Sequence, residues 1–308
     1  MKTLYNLLDE HLEHLESLNY SAKTIQEKYY ICVKFIQYLE RFFQISTADR
    51  LRKSYLFAWQ KHLYGIRTKD GMPLKPGTIN KKIEVIKGFL RFLAVRGYVL
   101  KTLIDAVSYI KEPKMLPTGI MTNAQTSKVL RQPDTDTLLG YRDRTIMELM
   151  YSSGLRSGEI VSMHTGSVDF KNGTVRVMGK GSKERLVPVG KTALRYLETY
   201  LKAIRPYLLI KGEKKAFFLN YRGREFRYSA LLEMVHKYRK QAKIDVYITP
   251  HSFRRTCATE LIRGNANIYH VKEILGHESL ETLKHYTKLT IMDLRKTHTK
   301  CHPRGKGV

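Results

Sequence analysis

Six polar residues in four short segments, each bordered by glycine or proline, are of the types needed for phosphoryl transfer. They are Arg156, Lys180, His251, Arg254, His277 and Tyr286. Arginine guanidinium groups stabilise the charge that builds up on the oxygens of a phosphorus under attack. A tyrosine hydroxyl can serve as a covalent nucleophile, and a lysine can reach and protonate the leaving alkoxide. The set predicts transfer of a phosphodiester to a protein tyrosine, in which the energy of the phosphodiester bond is retained in the phosphotyrosine bond.

The sequence offers little for metal or nucleotide chemistry. No cluster of acids suits two-metal catalysis, and no GxxxxGK[ST] loop is present, which argues against an NTPase. The cysteines Cys32, Cys257 and Cys301 are too scattered for a disulfide framework. Cys257 and Cys301 with His298 and His302 match no standard zinc spacing. We therefore expect no metal and no cofactor.

The charge of the chain points to a polyanionic partner. The 308 residues include 55 Lys and Arg against 28 Asp and Glu, a net charge of +27, while 43% of residues are hydrophobic, as in a folded protein. The excess is shared: residues 1–118 carry 20 bases and 11 acids. Such a surplus on a folded chain most often marks nucleic-acid binding. With no signal-peptide pattern and no long apolar run, the expected location is cytoplasmic.

Hydrophobic periodicity predicts four amphipathic helices in the first third of the chain. They lie in LYNLLDEHLEHLESL, in SAKTIQEKYYICVKFIQYLERF, over about 52–64, and in TINKKIEVIKGFLRFLAVRG. Thr78 is the predicted cap of the fourth helix, which ends at Gly97. Ser21 is the predicted N-cap of the second helix, whose apolar stripe comprises Ile25, Tyr29, Cys32, Phe35 and Leu39.

The prolines and glycine of IKEPKMLPTG indicate a linker at 112–119, which separates a helical domain over 1–111 from a second domain over 120–308. Helical patterns resume at about 123–131 and 140–153. The strands TVRVM and ERLVPV around a glycine-containing turn then predict an antiparallel hairpin. Thr249 and Pro250 predict the start of a later helix, and Gly276 predicts the end of another. The predicted fold class is mainly α with a small antiparallel β-sheet.

The strings around the six polar residues resemble those of the tyrosine recombinases (lambda-integrase-like), and within them the Xer-type enzymes. The family pattern is Arg, Lys, His-x-x-Arg, His, Tyr, and this chain has GLRSGE, GKGSKERLVP, HSFRRTCAT, ILGH and HYTKL in the same order. The 24-residue step from Arg156 to Lys180 and the nine-residue step from His277 to Tyr286 also match. The resemblance is strong over 120–308, and residues 1–110 resemble the family's core-binding domain more loosely.

The resemblance implies a role for each residue. Tyr286 would attack the scissile phosphate to form a 3′-phosphotyrosyl bond. Lys180 would protonate the 5′-oxygen that leaves, with Lys183 as a nearby competitor for this role. Arg156, Arg254 and His277 would bind the nonbridging oxygens, and His251 would act as general base. Strand exchange would pass through a Holliday junction in a homo- or hetero-tetramer on two DNA sites, with a C-terminal helix at about 291–299 contacting a neighbouring subunit.

The chain departs from the family pattern at two places, and several of its basic residues are candidates for contact with DNA. Arg255 stands where the family usually has His, and between His277 and Tyr286, where the family often has Ser-x-x-Thr-Thr, Leu283 and Lys284 occupy the later positions. Basic helix faces suit phosphate contact. The predicted DNA-binding residues are Lys23, Lys28, Lys81, Lys82 and Lys87 in the first domain, and Lys183, Arg255 and Lys284 in the second.

Three functions stay open at the level of sequence. The first is a site-specific recombinase, acting in Xer-like resolution, in integration and excision of a mobile element, or in DNA inversion. The second is an accessory DNA-binding subunit that is active only with a partner recombinase. The third is a relaxing enzyme like the type IB topoisomerases. The complete set of six residues favours the first.

Overall fold

The chain forms two compact units, Met1–Lys114 (the N-terminal unit) and Met115–Val308 (the C-terminal unit). The computed structural model describes residues 2–112, 119–179, 184–210 and 215–276. Within these ranges, no helix combines the length and the apolar character needed to cross a bilayer.

The N-terminal unit is built from helices whose apolar faces meet in one core. Its α-helices are Leu4–Ser17 (α1), Ala22–Phe43 (α2), Lys53–Gly65 (α3) and Pro76–Val95 (α4), followed by a 3₁₀ turn over Lys101–Ala106. The predicted four helices and the Ser21 cap are confirmed, and the Ser21 hydroxyl accepts from the backbone N–H of Thr24. The core includes Phe35, Trp59 and Ile83.

Two details of the sequence prediction for this unit are wrong. Helix α4 begins at Pro76, with Lys75 rather than Thr78 as N-cap, because the fixed φ of proline suits the first helical position. Of the stripe predicted on α2, Cys32, Phe35 and Leu39 are buried, whereas Tyr29 is exposed. Spacing alone identifies a face of a helix, and it does not show how far the neighbouring helices cover that face.

The C-terminal unit is mostly helical, and the strands of a small sheet come between its third and fourth α-helices. Helices Asn123–Leu130 (α5), Leu138–Ser153 (α6) and Ser157–Val161 (α7) precede the strands Val168–Asp169 (β1), Thr174–Met178 (β2) and Glu184–Pro188 (β3). The later helices are Lys191–Thr199 (α8), Arg205–Leu208 (α9), Tyr228–Gln241 (α10), Pro250–Arg263 (α11) and Ile268–Leu275 (α12).

The three strands form one antiparallel sheet in the order β1-β2-β3. The predicted hairpin is confirmed in its strands, with Val177 opposite Arg185 and Val175 opposite Val187. Its turn, residues 180–183, lies outside the described residues. Strand β1 has two residues, too few to show an alternating pattern, and was not predicted. The mainly α fold with a small antiparallel sheet is confirmed.

Helix α6 is buried along most of its length and packs against α8 and α11. Its buried polar residues have partners: Arg142 donates to Asp143 Oδ1 at 2.6 Å, and the Tyr238 hydroxyl donates to Asp143 Oδ2 at 2.8 Å. A buried charge is tolerated when it is paired in this way. The helix ends at Gly154, where the segment that carries Arg156 begins.

Candidate active site

The backbone at Gly154 brings the segment of Arg156 close to α11 and α12. Gly154 has a φ of +60°, in the left-handed region that glycine adopts without strain. A Cβ at this position would lie 2.6 Å from Leu275 Cδ2 on α12 and 3.3 Å from Cys257 Sγ on α11. The glycine therefore permits both the sharp turn and the close approach of three chain segments.

Arg156 is held at the N-cap of α7 by a carboxylate from the same helix. Its backbone N–H donates to Glu159 Oε2 at 2.7 Å, and its guanidinium Nη1 donates to Glu159 Oε1 at 2.9 Å. The other terminal nitrogen, Nη2, donates to the carbonyl oxygen of Gly276. The side chain is still 39% exposed, so part of the guanidinium faces solvent.

Arg254 reaches the same place from α11, whose start has the predicted form. Thr249 is the N-cap and Pro250 occupies the first turn. The Arg254 side chain is 3% exposed, and it donates from Nη1 to the Gly154 carbonyl at 2.7 Å and from Nη2 to the Leu275 carbonyl at 2.6 Å. The structure therefore brings Arg156 and Arg254 to consecutive carbonyl groups at the end of α12.

Helix α12 ends where the sequence analysis predicted, at Gly276, which has a φ of +61°. The next residue in the chain is His277. His277 and Tyr286 lie outside the described residues, as do Lys180 and the predicted DNA contacts Lys183 and Lys284. Of the six predicted catalytic residues, the structure describes Arg156, His251 and Arg254.

His251 precedes Arg254 by one turn of α11 and is exposed. Partial burial lowers the pKa of His251 below its ordinary value of 6.5, and the guanidinium groups of Arg255, Arg254 and Arg156 lower it further. The imidazole is therefore mostly neutral near pH 7, the state in which it can accept a proton. Arg255, the predicted DNA contact of this helix, is half-buried.

Glu159 and Arg185 belong to this cluster and were not singled out from the sequence. Arg185 on β3 donates to both carboxylate oxygens of Glu159, at 2.6 and 2.9 Å. Burial by itself raises the pKa of Glu159, but hydrogen bonds from Arg185 and Arg156 outweigh it and hold the pKa below its ordinary value. The carboxylate is therefore ionised and shared by two arginines.

The sequence held a signal for each of these residues. Glu159 lies three positions after Arg156, the spacing at which an N3 glutamate reaches back to the N-cap backbone. Arg185 and Val187 share a face of β3 because side chains alternate along a strand, and Val187 is fully buried. An arginine on a buried face needs acceptors for its guanidinium, and an acidic side chain is one way to supply them.

The predicted DNA contacts of the N-terminal unit differ in their surroundings. Lys23 is exposed, Lys81 pairs with Glu27 at 2.5 Å, and Lys87 lies 5.0 Å from the centre of the Tyr109 ring. Lys82 is half-buried at a cavity of about 250 Å³, and its pKa is lowered by burial and by Lys34. Lys28 lies 5.5 Å from the centre of the Tyr20 ring, so of the five predicted lysines Lys23 is the most accessible to a phosphate.

The described part of the chain contains no group of three or more His, Cys, Asp or Glu side chains arranged to hold a metal ion. Of the residues considered for a metal at the sequence level, Cys257 is buried and its thiol pKa is raised to about 12 by burial. Cys301, His298 and His302 lie outside the described residues.

Comparison with known proteins places these residues in a family. The model of the phage integrase family matches residues 120–291. The tyrosine recombinase XerD of Staphylococcus epidermidis is 36% identical over 223 residues, which are 72% of this chain and 75% of that protein. XerD of Staphylococcus aureus is 35% identical over 231 residues, 74% of this chain and 77% of its own.

Among solved structures, the integrase of the transposon Tn1549 in complex with a circular intermediate DNA has the same fold. Its TM-score is 0.75, with 16% identity over 97% of this chain and 99% of that one. These matches favour DNA cleavage and rejoining over a binding-only subunit or a relaxing enzyme. The chain belongs to the phage integrase family, the tyrosine recombinases that cleave and rejoin DNA strands at specific sites.

Proposed function

We propose that the chain cleaves and rejoins duplex DNA through a 3′-phosphotyrosyl intermediate on Tyr286. Arg156 and Arg254 bind the nonbridging oxygens of the scissile phosphate together with His277. Lys180 protonates the 5′-oxygen that leaves, and His251 accepts the proton of the tyrosine. A second 5′-hydroxyl then attacks the phosphotyrosine, so that two exchanges pass through a Holliday junction.

The contact of Arg156 and Arg254 with the end of α12 is the observation that carries this proposal. Arg156 donates to the Gly276 carbonyl, and Arg254 donates to the Leu275 carbonyl, directly before His277 in the chain. Two guanidinium groups that converge on one point, one of them partly open to solvent, suit a tetrahedral oxyanion. When DNA is bound, its phosphate oxygens are charged and therefore stronger acceptors for these guanidinium groups than the two backbone carbonyls.

The proposal extends to the domains and partners. Residues 1–111 form a helical DNA-binding domain, 112–119 a linker, and 120–308 the catalytic domain, whose helix at about 291–299 contacts a neighbouring subunit. The full charge of +27 supports a grip on the duplex from both domains. The active assembly is a tetramer on two DNA sites, made of this chain or with a related recombinase, in the cytoplasm at the nucleoid.

A covalent selection tests the proposal and identifies the DNA site in the same experiment. The protein is incubated with nicked duplexes whose central sequence is randomised. When the nick lies near the cleavage point, the short fragment that bears the freed 5′-hydroxyl diffuses away, so the strand cannot be resealed and the adduct is trapped. We expect a complex that survives denaturant, is sensitive to protease, and carries DNA through its 3′ end. Sequencing of the trapped DNA then gives the site.

The outcomes separate the alternatives. An accessory subunit would bind the DNA without forming an adduct by itself, and an adduct would appear only when a related recombinase is added. Relaxation of supercoiled DNA without exchange between two recovered sites points to a topoisomerase-like enzyme. Linkage through a 5′ phosphate would contradict the proposed chemistry.

The general-base role of His251 predicts a particular dependence on pH. Because its pKa is lowered below 6.5, the imidazole stays neutral until the pH falls through that depressed value, and the cleavage rate should fall only there. His251→Gln should slow cleavage on the order of 10²-fold and remove this fall in rate at low pH, the acid limb of the pH profile. The exposed His236 on α10 provides the control, since His236→Gln should leave the limb in place. A limb retained in His251→Gln would contradict the role.

A further inference from the structure

We propose that Arg185 is a positioning residue for cleavage: by sharing the Glu159 carboxylate, it keeps the charge of Arg156 available to the scissile phosphate. The inference rests on the proposed function, in which Arg156 binds that phosphate. Arg185 itself is not expected to touch DNA, because the charged oxygens Oε1 and Oε2 of Glu159 already occupy both of its terminal nitrogens.

The contacts form a short chain from β3 to Arg156. Arg185 Nη1 and Nη2 donate to Glu159 Oε1 and Oε2 at 2.6 and 2.9 Å, a paired geometry that fixes the plane of the carboxylate. The same two oxygens accept from the Arg156 guanidinium and backbone N–H. The orientation of Arg156 therefore depends on a carboxylate that Arg185 holds.

The charges explain why a second arginine is useful. Glu159 is 6% exposed and carries one negative charge, and alone with Arg156 it would neutralise that guanidinium. With Arg185 present, the three groups together keep one positive charge. In a site of low dielectric constant, this remaining charge acts strongly on a phosphate bound at the exposed side of Arg156.

Arg185 is also fixed by its surroundings on the other side. A Cβ at Gly276 would lie 2.8 Å from Arg185 Nε, so the guanidinium packs against the glycine that ends α12. It lies on the buried face of β3 with Val187, opposite Val177. One residue thus links β3, α7 and the end of α12. In the sequence, Lys180 lies five residues before Arg185.

The test compares three variants on the trapped site. Arg185→Met removes the guanidinium and keeps an unbranched apolar stem. Arg185→Lys keeps the charge and loses the paired geometry, and Arg176→Met removes an exposed charge from the neighbouring strand. We expect Arg185→Met to slow adduct formation about 10–100-fold with DNA binding retained. Arg185→Lys should recover part of the rate, and Arg176→Met should leave it unchanged.

A neutral substrate separates positioning from a general loss of structure. In a methylphosphonate at the scissile position, a methyl group replaces one charged oxygen, so less charge develops for Arg156 to stabilise. If Arg185 acts through that charge, the loss in Arg185→Met should be several-fold smaller on the methylphosphonate. A damaged fold would slow both substrates equally.

A double variant tests the route through Glu159. In Arg185→Met/Glu159→Gln, the neutral amide no longer competes for Arg156, so the rate should not fall below that of the slower single variant. An unchanged rate in Arg185→Met, equal losses on both substrates, or strictly additive losses would each overturn the role of Arg185. A wild-type protein that forms no adduct, either alone or with a related recombinase, would overturn the proposed function itself.

Discussion

Tyr286→Phe should abolish the covalent complex with DNA and leave DNA binding unchanged. The substitution removes only the hydroxyl, which is the proposed attacking group, and no water-derived nucleophile can form a protein–DNA bond in its place. Loss of a nucleophile reduces turnover by on the order of 10⁴-fold or more. Trapping on the nicked substrate measures the adduct, and a gel shift without denaturant measures binding.

The matched control is Tyr269→Phe on α12, where the ring is 61% exposed. This variant should form the adduct at the wild-type rate. The chain has 20 tyrosines, so an adduct that persists in Tyr286→Phe would place the nucleophile elsewhere, and mass spectrometry of the linked peptide would find it.

Arg254→Met should show the second large effect, on both catalysis and stability. Removing one preorganised donor to a developing oxyanion slows the chemical step about 10²–10³-fold. The substitution also leaves the carbonyl oxygens of Gly154 and Leu275 without the donors that Arg254 supplies. A buried polar group that loses its partner costs about 1–3 kcal/mol. The free energy of unfolding should fall by a similar amount.

Urea unfolding and the initial rate of adduct formation measure the two effects separately. Arg254→Lys keeps a positive charge but cannot supply two nitrogens in a fixed plane, so it should recover stability only in part and rate hardly at all. Arg263→Met on the same helix removes a side chain that is 62% exposed and should change unfolding by less than about 0.5 kcal/mol. If Arg254→Met formed the adduct at the wild-type rate, the proposed role of Arg254 would be excluded.

The sequence predicted the helices well because their signals are local. The Ser21 cap, the Thr249 cap with Pro250, and the end of α12 at Gly276 each depend on residues a few positions apart. The Thr78 cap failed because two adjacent start signals competed and Pro76 prevailed. Tyr29 was misplaced because its exposure depends on which helices cover it, and no local pattern contains that information.

The reaction class was also readable from the sequence, since the order and spacing of the polar strings identify the family. The arrangement around Arg156 was not. Glu159 and Arg185 are 26 positions apart, and Arg156 and Gly276 are 120 apart, so their contacts arise only when β3, α7 and α12 pack together. Sequence determined the family and predicts which groups perform the chemistry. Tertiary structure decided which carboxylate is shared between two arginines, because burial and pairing depend on distances in space.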